Sequence, residues 1–252
     1  MYRVSLHFYN ELNNFLPSEK RDIDFEFEYK NRRSVKDLIE SFGIPHTEID
    51  VIFVNNKSVD FSYILNDGDN IKAYPASETL NLETLNLKPV KHLKPRFETI
   101  KFLVDIHLNK LARYLRLLGL DAICEKNLTS ERLIEKALDE DRILVTRSRN
   151  LLRTKEITHG VLIKEDIPEK QLEEIFHRYD FSPHCKPFTR CMECNTILQP
   201  IEKEKIVDRL PPKVKVAYQS FTICTNCDKI YWQGTHFDKL NELVGKIIRN
   251  NV

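Results

Sequence analysis

Glycine is scarce in this sequence. Six glycines occur among 252 residues, where an average protein has about 7%. They are also scattered: no two lie within ten residues of one another. Neither a G-x-G-x-x-G fingerprint nor a G-x-x-x-x-G-K-[ST] loop can be written anywhere, so glycine-loop nucleotide binders are excluded and no nucleotide cofactor is expected. Any phosphate chemistry must use metal ions or cationic side chains. Long apolar runs are missing too. Stretches such as Val51–Val54 and Ile143–Val145 fall far short of the roughly 20 residues of a membrane span, so no membrane partner is expected. The opening MYRVSLHFYNEL alternates and carries charge, unlike a signal peptide, which predicts a cytoplasmic protein.

A strong charge bias is absent overall, but the balance is uneven. Net charge is +1. Residues 1–80 hold 9 Lys/Arg against 14 Asp/Glu, and the remainder holds 30 against 24. An acidic first part and a mildly basic rest predict separate units. Residues 1–76 read as one of them. Tyr2–Tyr9 alternates as a strand does, and so do Ile23, Phe25, Phe27 and Tyr29. Ser34 reads as the N-cap of a helix over Val35–Phe42, closed by Gly43 and Pro45. Strands follow at Asp50–Val54 and Ile71–Tyr74. This order suits a β-grasp. The stretch VNNKSVDFSYILNDGDNIKAYP resembles the final half of ubiquitin-like sulfur carriers, but Pro75-Ala76-Ser77-Glu78 stands where those carriers end in Gly-Gly. The domain therefore reads as non-conjugating, serving to dock a protein partner, to contact substrate, or simply to stabilise.

Residues 77–100 hold two prolines and no sustained periodicity, which predicts a linker. Lys88, Lys91, Lys94 and Arg96 stand there against Glu98. Residues 101–184 alternate strand and helix. Lys101–Asp105, Asp121–Cys124, Arg142–Thr146 and Gly160–Lys164 read as strands. Leu108, Leu111, Leu115 and Leu118 mark one helix, Thr129 or Ser130 caps a second, and Pro168–Tyr179 forms a third. Such alternation predicts βαβ units with a parallel sheet. Ligands of such sheets sit beyond the carboxyl ends of the strands, where Asp105, Thr146-Arg147-Ser148 and Glu165-Asp166 fall.

Residues 185–252 carry the clearest signal. Cys191-x-x-Cys194 and Cys224-x-x-Cys227 are separated by 29 residues. Two thiolate pairs make the four-sulfur tetrahedron of a structural Zn²⁺. Lys213–Ala217 and Ser220–Cys224 read as strands of a zinc ribbon, and Phe237–Arg249 as a closing helix. Tyr231 and Trp232 read either as packing for a small core or as stacking surfaces for bases. His236 reads as a structural histidine, because four cysteines already fill the shell.

Three stretches carry a wider resemblance: FLVDxxLxKLARYLRLLGLD (Phe102–Asp121), RILVTR (Arg142–Arg147), and FTRCMEC…VDRLPP…FTICTNCDKIYWQGTH (Phe188–His236). They resemble the Mut-seven C-terminal ribonuclease-like family, in which a PIN-like α/β domain precedes a zinc ribbon and a ubiquitin-like domain often comes first. The resemblance implies metal-dependent hydrolysis of RNA by carboxylates holding Mg²⁺ or Mn²⁺. It implies catalytic roles for Asp105, Glu131 and Asp166 and phosphate contacts for Arg113, Arg116 and Arg147. Several also have a plainer reading: Asp105 as a helix N-cap, Glu131 as a first-turn acid favouring the helix dipole, and Arg113 and Arg116 as the solvated side of their helix. The family continues its third strand as T-R-D, whereas this chain has Thr146-Arg147-Ser148. The expectations are therefore a nuclease weakened by Ser148, an inactive RNA-binding module, or a protein-interaction adaptor docking through the β-grasp.

Overall fold

The computed structural model describes residues 1–75, 91–93, 99–178, 181–234, 237 and 241–246. Lys88, Lys94, Arg96, Glu98 and His236, and residues 238–240 and 247–249 of the helix expected over Phe237–Arg249, lie outside them; residues 241–246 are helical. Among the described residues no helix is long and apolar enough to cross a membrane.

The first strands are β1 (Tyr2–Phe8) and β2 (Phe25–Tyr29), then helix α1 (Val35–Ser41), β3 (Ile49–Val54), β4 (Lys57–Val59) and β5 (Asn70–Pro75). They form a mixed sheet in the order β2-β1-β5-β3-β4, with β1 parallel to β5 and the other pairs antiparallel. This is the ubiquitin-like arrangement expected. The N-cap of α1 is Ser34, whose Oγ accepts from Asp37 N at 3.1 Å. Val35, Leu38 and Ile39 are fully buried along one face of α1, each worth about 2 kcal/mol of apolar burial. Asn55 and Asn56 both have positive φ, 50° and 62°, the conformation a tight two-residue hairpin needs. It folds the short β4 back onto β3, a strand that the sequence pattern does not announce.

The alternating segment follows: β6 (Lys101–Val104), α2 (Asn109–Leu117), β7 (Asp121–Ile123), α3 (Ser130–Asp139), β8 (Ile143–Thr146), α4 (Arg149–Leu152), β9 (Gly160–Leu162) and α5 (Pro168–Arg178). The strands pair in parallel, β6 with β7 and β8 with β9. Each of the four is apolar at its centre: Phe102, Ala122, Val145 and Val161 are all buried. The last elements are β10 (Gln199–Ile201), α6 (Pro212–Ala217), β11 (Phe221–Ile223) and β12 (Ile230–Trp232), the strands forming an antiparallel ribbon.

One element differs in kind from the sequence reading. Lys213–Ala217, expected as a strand from its alternation, is helical. Pro212 occupies the first turn, where its fixed φ suits a helix. Val214 and Tyr218, four apart, pack on the ribbon core of Ile206, Leu210 and Phe221, while Val216 is 83% exposed. The apolar spacing that matters is therefore four, not two.

The chain groups into two compact units, Met1–Thr99 with Leu128–Lys164, and Ile100–Asn127 with Glu165–Val252. In the first, the β-grasp is bound to the segment containing β8 and β9. His46 is buried, bridging Glu40 Oε1 and the Ile157 carbonyl at 2.8 Å each. The fully buried Glu48 accepts from Leu162 N on β9 at 3.2 Å, and Arg153 donates to the Glu40 carbonyl at 2.6 Å. Of the expected linker, Lys91 and His92 pair with Asp60 and Asp50 of this unit. In the second unit α2 packs on α5, and Tyr114 donates to Glu169 at 2.6 Å.

Candidate metal centre and strand-end acids

The two cysteine pairs sit in turns of one shape. In the first, Asn195 N bonds to the Cys191 carbonyl at 2.9 Å and Cys191 N to that of Thr196 at 2.8 Å. In the second, Asp228 N bonds to Cys224 O at 2.9 Å and Cys224 N to Lys229 O at 2.9 Å. The residue after each pair, Asn195 or Asp228, has φ of 73° or 61°. Asn and Asp tolerate this left-handed conformation better than other side chains.

These turns bring the sulfurs of Cys191, Cys194, Cys224 and Cys227 within 4.8 Å of one another. Cys191 and Cys227 lie 3.5 Å apart, Cys194 and Cys224 3.3 Å. A tetrahedral zinc with ~2.3 Å bonds wants sulfurs about 3.8 Å apart, so the donor set fits Zn²⁺. Burial opposes ionisation of Cys194, but hydrogen bonds with Thr196 and Asn226 outweigh it and bring that thiol down to about 5. Cys227 moves the other way. Its residue is exposed, yet its sulfur sits among the other three, and desolvation with their hydrogen bonds pushes it up to about 12. A bound dication holds all four as thiolates. Tyr231 places its hydroxyl 3.1 Å from Cys191 Sγ, and its burial raises that hydroxyl above the ordinary tyrosine range.

The first turn is fastened to α2 and β7. Arg116 is 3% exposed; its Nε donates to the Ala122 carbonyl at 2.7 Å and its Nη1 to those of Met192 and Glu193 at 3.0 and 2.8 Å. Burial lowers its pKa, partly offset by the nearby cysteine sulfurs. This corrects the sequence reading. Arg116 spends its donors on three carbonyls of the fold and does not face an RNA phosphate. Asn195 adds two bonds, accepting from Ala122 N at 3.1 Å and donating to Asp121 at 3.0 Å. Gly119, with φ of 81°, lets the chain pass close by. A Cβ there would lie 2.0 Å from the Lys186 carbonyl oxygen.

Among the other expected site residues, Asp105 directly follows β6. Its Oδ1 accepts from His107 N at 3.1 Å and lies 2.8 Å from His107 Nδ1. Its side chain is 13% exposed, that of His107 80%. Asp166, exposed, precedes α5. Glu131 is exposed in the first turn of α3, where its own backbone N–H and Thr129 lower its pKa. Arg147 is exposed just beyond β8, its Nη2 3.4 Å from the Lys164 carbonyl. Arg113 pairs with Glu193 at 3.0 Å. Asp105, Asp166 and Arg113 belong to one compact unit, and Glu131, Arg147 and Ser148 to the other. Ser148 N-caps α4, its Oγ accepting from Leu151 N at 3.4 Å.

Two family sequence models match the chain. The Mut7-C RNAse domain matches residues 100–244 and the Mut7-C ubiquitin domain residues 1–81. No curated protein and no solved structure matches.

Proposed function

We propose, for a chain that belongs to the Mut7-C RNAse domain family, that it hydrolyses RNA phosphodiester bonds with carboxylate-held metal, at a site weakened by Ser148. The observation that carries this reading is the family match over residues 100–244, with Asp105 standing at the carboxyl end of a parallel strand. Open α/β sheets bind their ligands at such ends. Asp105 and Asp166 in one unit, and Glu131 in the other, each carry oxygen ligands of the kind that Mg²⁺ or Mn²⁺ takes. Such an ion, when bound, supplies an activated water and neutralises charge developing on the phosphodiester. His107 orients the Asp105 carboxylate; Arg113, in exchange for Glu193, and Arg147 in its own unit each offer a contact to backbone phosphates. The zinc ribbon completes the domain structurally, and the β-grasp docks a protein partner.

Ser148 favours a second reading. It offers a hydroxyl that already accepts from Leu151 N, not a carboxylate. A chain that grips RNA without cutting it follows if that loss is complete.

The test compares wild type, Asp105→Asn and Ser148→Asp on mixed RNAs with Mn²⁺ or Mg²⁺. Metal-dependent cleavage that falls about a hundredfold in Asp105→Asn and rises in Ser148→Asp is expected. Binding with no cleavage in either background rejects hydrolysis in favour of the binding module.

A further inference from the structure

The second compact unit carries a groove of about 900 Å³ on the face of the ribbon. We infer that this groove is a binding site for single-stranded RNA, with bases stacked on its aromatic wall and phosphates held at its basic rim. The inference rests on the ribonuclease reading for its choice of RNA, but none of Asp105, Glu131 and Asp166 lines the groove.

The wall is aromatic. Phe188, Tyr218, Tyr231, Trp232 and Phe237 all line the groove, and each is partly exposed. Phe188 and Phe237 lie ring to ring, centroids 4.2 Å apart. Trp232 packs partly on the ribbon core, and its indole edge lies against Gly234, where a Cβ would sit 2.8 Å from Nε1. The ring therefore has support beneath it and remains part of the wall. Bases stack on such platforms with little regard to sequence, each worth about 1–3 kcal/mol.

The rim is cationic. Among the described residues, Arg113, Arg190, Lys213 and Lys229 line the groove against one carboxylate, Glu193. Glu193 is shared by Arg113 at 3.0 Å and Lys229 at 2.6 Å, so two cations face one anion. Arg190 is tied to the Gly119 and Asn195 carbonyls and serves the frame. Lys213 is exposed in the first turn of α6. A groove that is apolar on its wall and positive at its rim matches a polyanion with flat bases. A duplex hides its base faces and does not fit this chemistry.

Trp232 is the single tryptophan of the chain, so the groove reports its own occupancy. The test uses the full, zinc-loaded chain carrying Asp105→Asn, so that RNA survives. The probe is a labelled oligo(U) of about ten nucleotides, within the range of known single-strand sites. Expected are saturable quenching of Trp232 that tracks the label's anisotropy, and much weaker binding of a duplex. Lys213→Glu should weaken binding about tenfold, and Lys213→Gln should reduce the salt slope by about one. Trp232→Leu, judged on protein that keeps its zinc, should also lose roughly tenfold. Equal binding of duplex overturns the proposal. So does RNA binding that leaves Trp232 emission and the Lys213 variants unchanged. An oligonucleotide that does not bind at all also overturns it, leaving the groove to a protein segment. The ribonuclease reading fails separately, when the groove binds RNA and the wild type with Mn²⁺ never cuts it.

Discussion

Asn195 and Asp228 hold equivalent places in two turns with matching hydrogen bonds. Asn195 is tied by its side chain to Asp121 and Ala122, with Arg116 bonded to the carbonyls just before it. Asp228 pairs in the open with Arg209, at 3.0 Å and 73% side-chain exposure. The first turn is thus part of the packed body of its unit, and the second reaches it through the sulfurs and the Lys229–Glu193 pair at 2.6 Å. The lesson is a division of labour. Protein contacts hold the first pair of cysteines more firmly than the second, so a metal bound by all four would matter most to the second.

The largest effect should come from removing that metal. Chelation, or Cys224→Ser, should unravel β11 and β12, because structural zinc supplies on the order of 10 kcal/mol to such folds. Zinc content well below one equivalent and a red-shifted Trp232 emission are the readouts. A native Trp232 emission after full zinc loss would show that the second turn stands without the metal. Next is Gly119→Ala, which meets both a positive φ and the Lys186 carbonyl. It should cost about 4 kcal/mol in denaturant unfolding. Arg116→Met should cost about 3 kcal/mol by leaving buried carbonyls without donors. A cost near zero would mean that the first turn is no better anchored than the second. The sharpest comparison has the smallest effect. Asn195→Gly and Asp228→Gly both keep the left-handed conformation open. The first should lose about 1.5 kcal/mol with its two hydrogen bonds. The second should lose less than about 0.5 kcal/mol, as exposed ion pairs do.

Much of this arrangement is legible in the sequence, and the exceptions share a cause. Cysteine spacing announces the four-sulfur shell, whereas Asn195 and Asp228, each directly after a C-x-x-C, are signals of the turn shape that the sequence reading passes over. Ser34, Thr129 and Gly43 mark helix ends that are found where expected. Arg116 is misread because an arginine on an amphipathic helix looks like part of the wet face. Its partners at Met192 and Glu193 are 76 and 77 residues away, and no local pattern encodes them. The α6 segment is misread because KVKVA alternates. Pro212 and the ribbon core favour the helix, and the core is again a distant neighbour. The link from Glu48 to Leu162 spans 114 residues and joins the β-grasp to β9. No pattern within the first 76 residues foretells it.

Ser148 starts α4 by accepting from Leu151 N, and an aspartate caps a helix as well as a serine does. The position can therefore gain or lose a full negative charge with little change in folding free energy. In evolutionary terms the scaffold is indifferent to it. Selection for stability neither preserves an acid there nor resists its return. Only use of the site can decide which residue stays, and one substitution separates the two states.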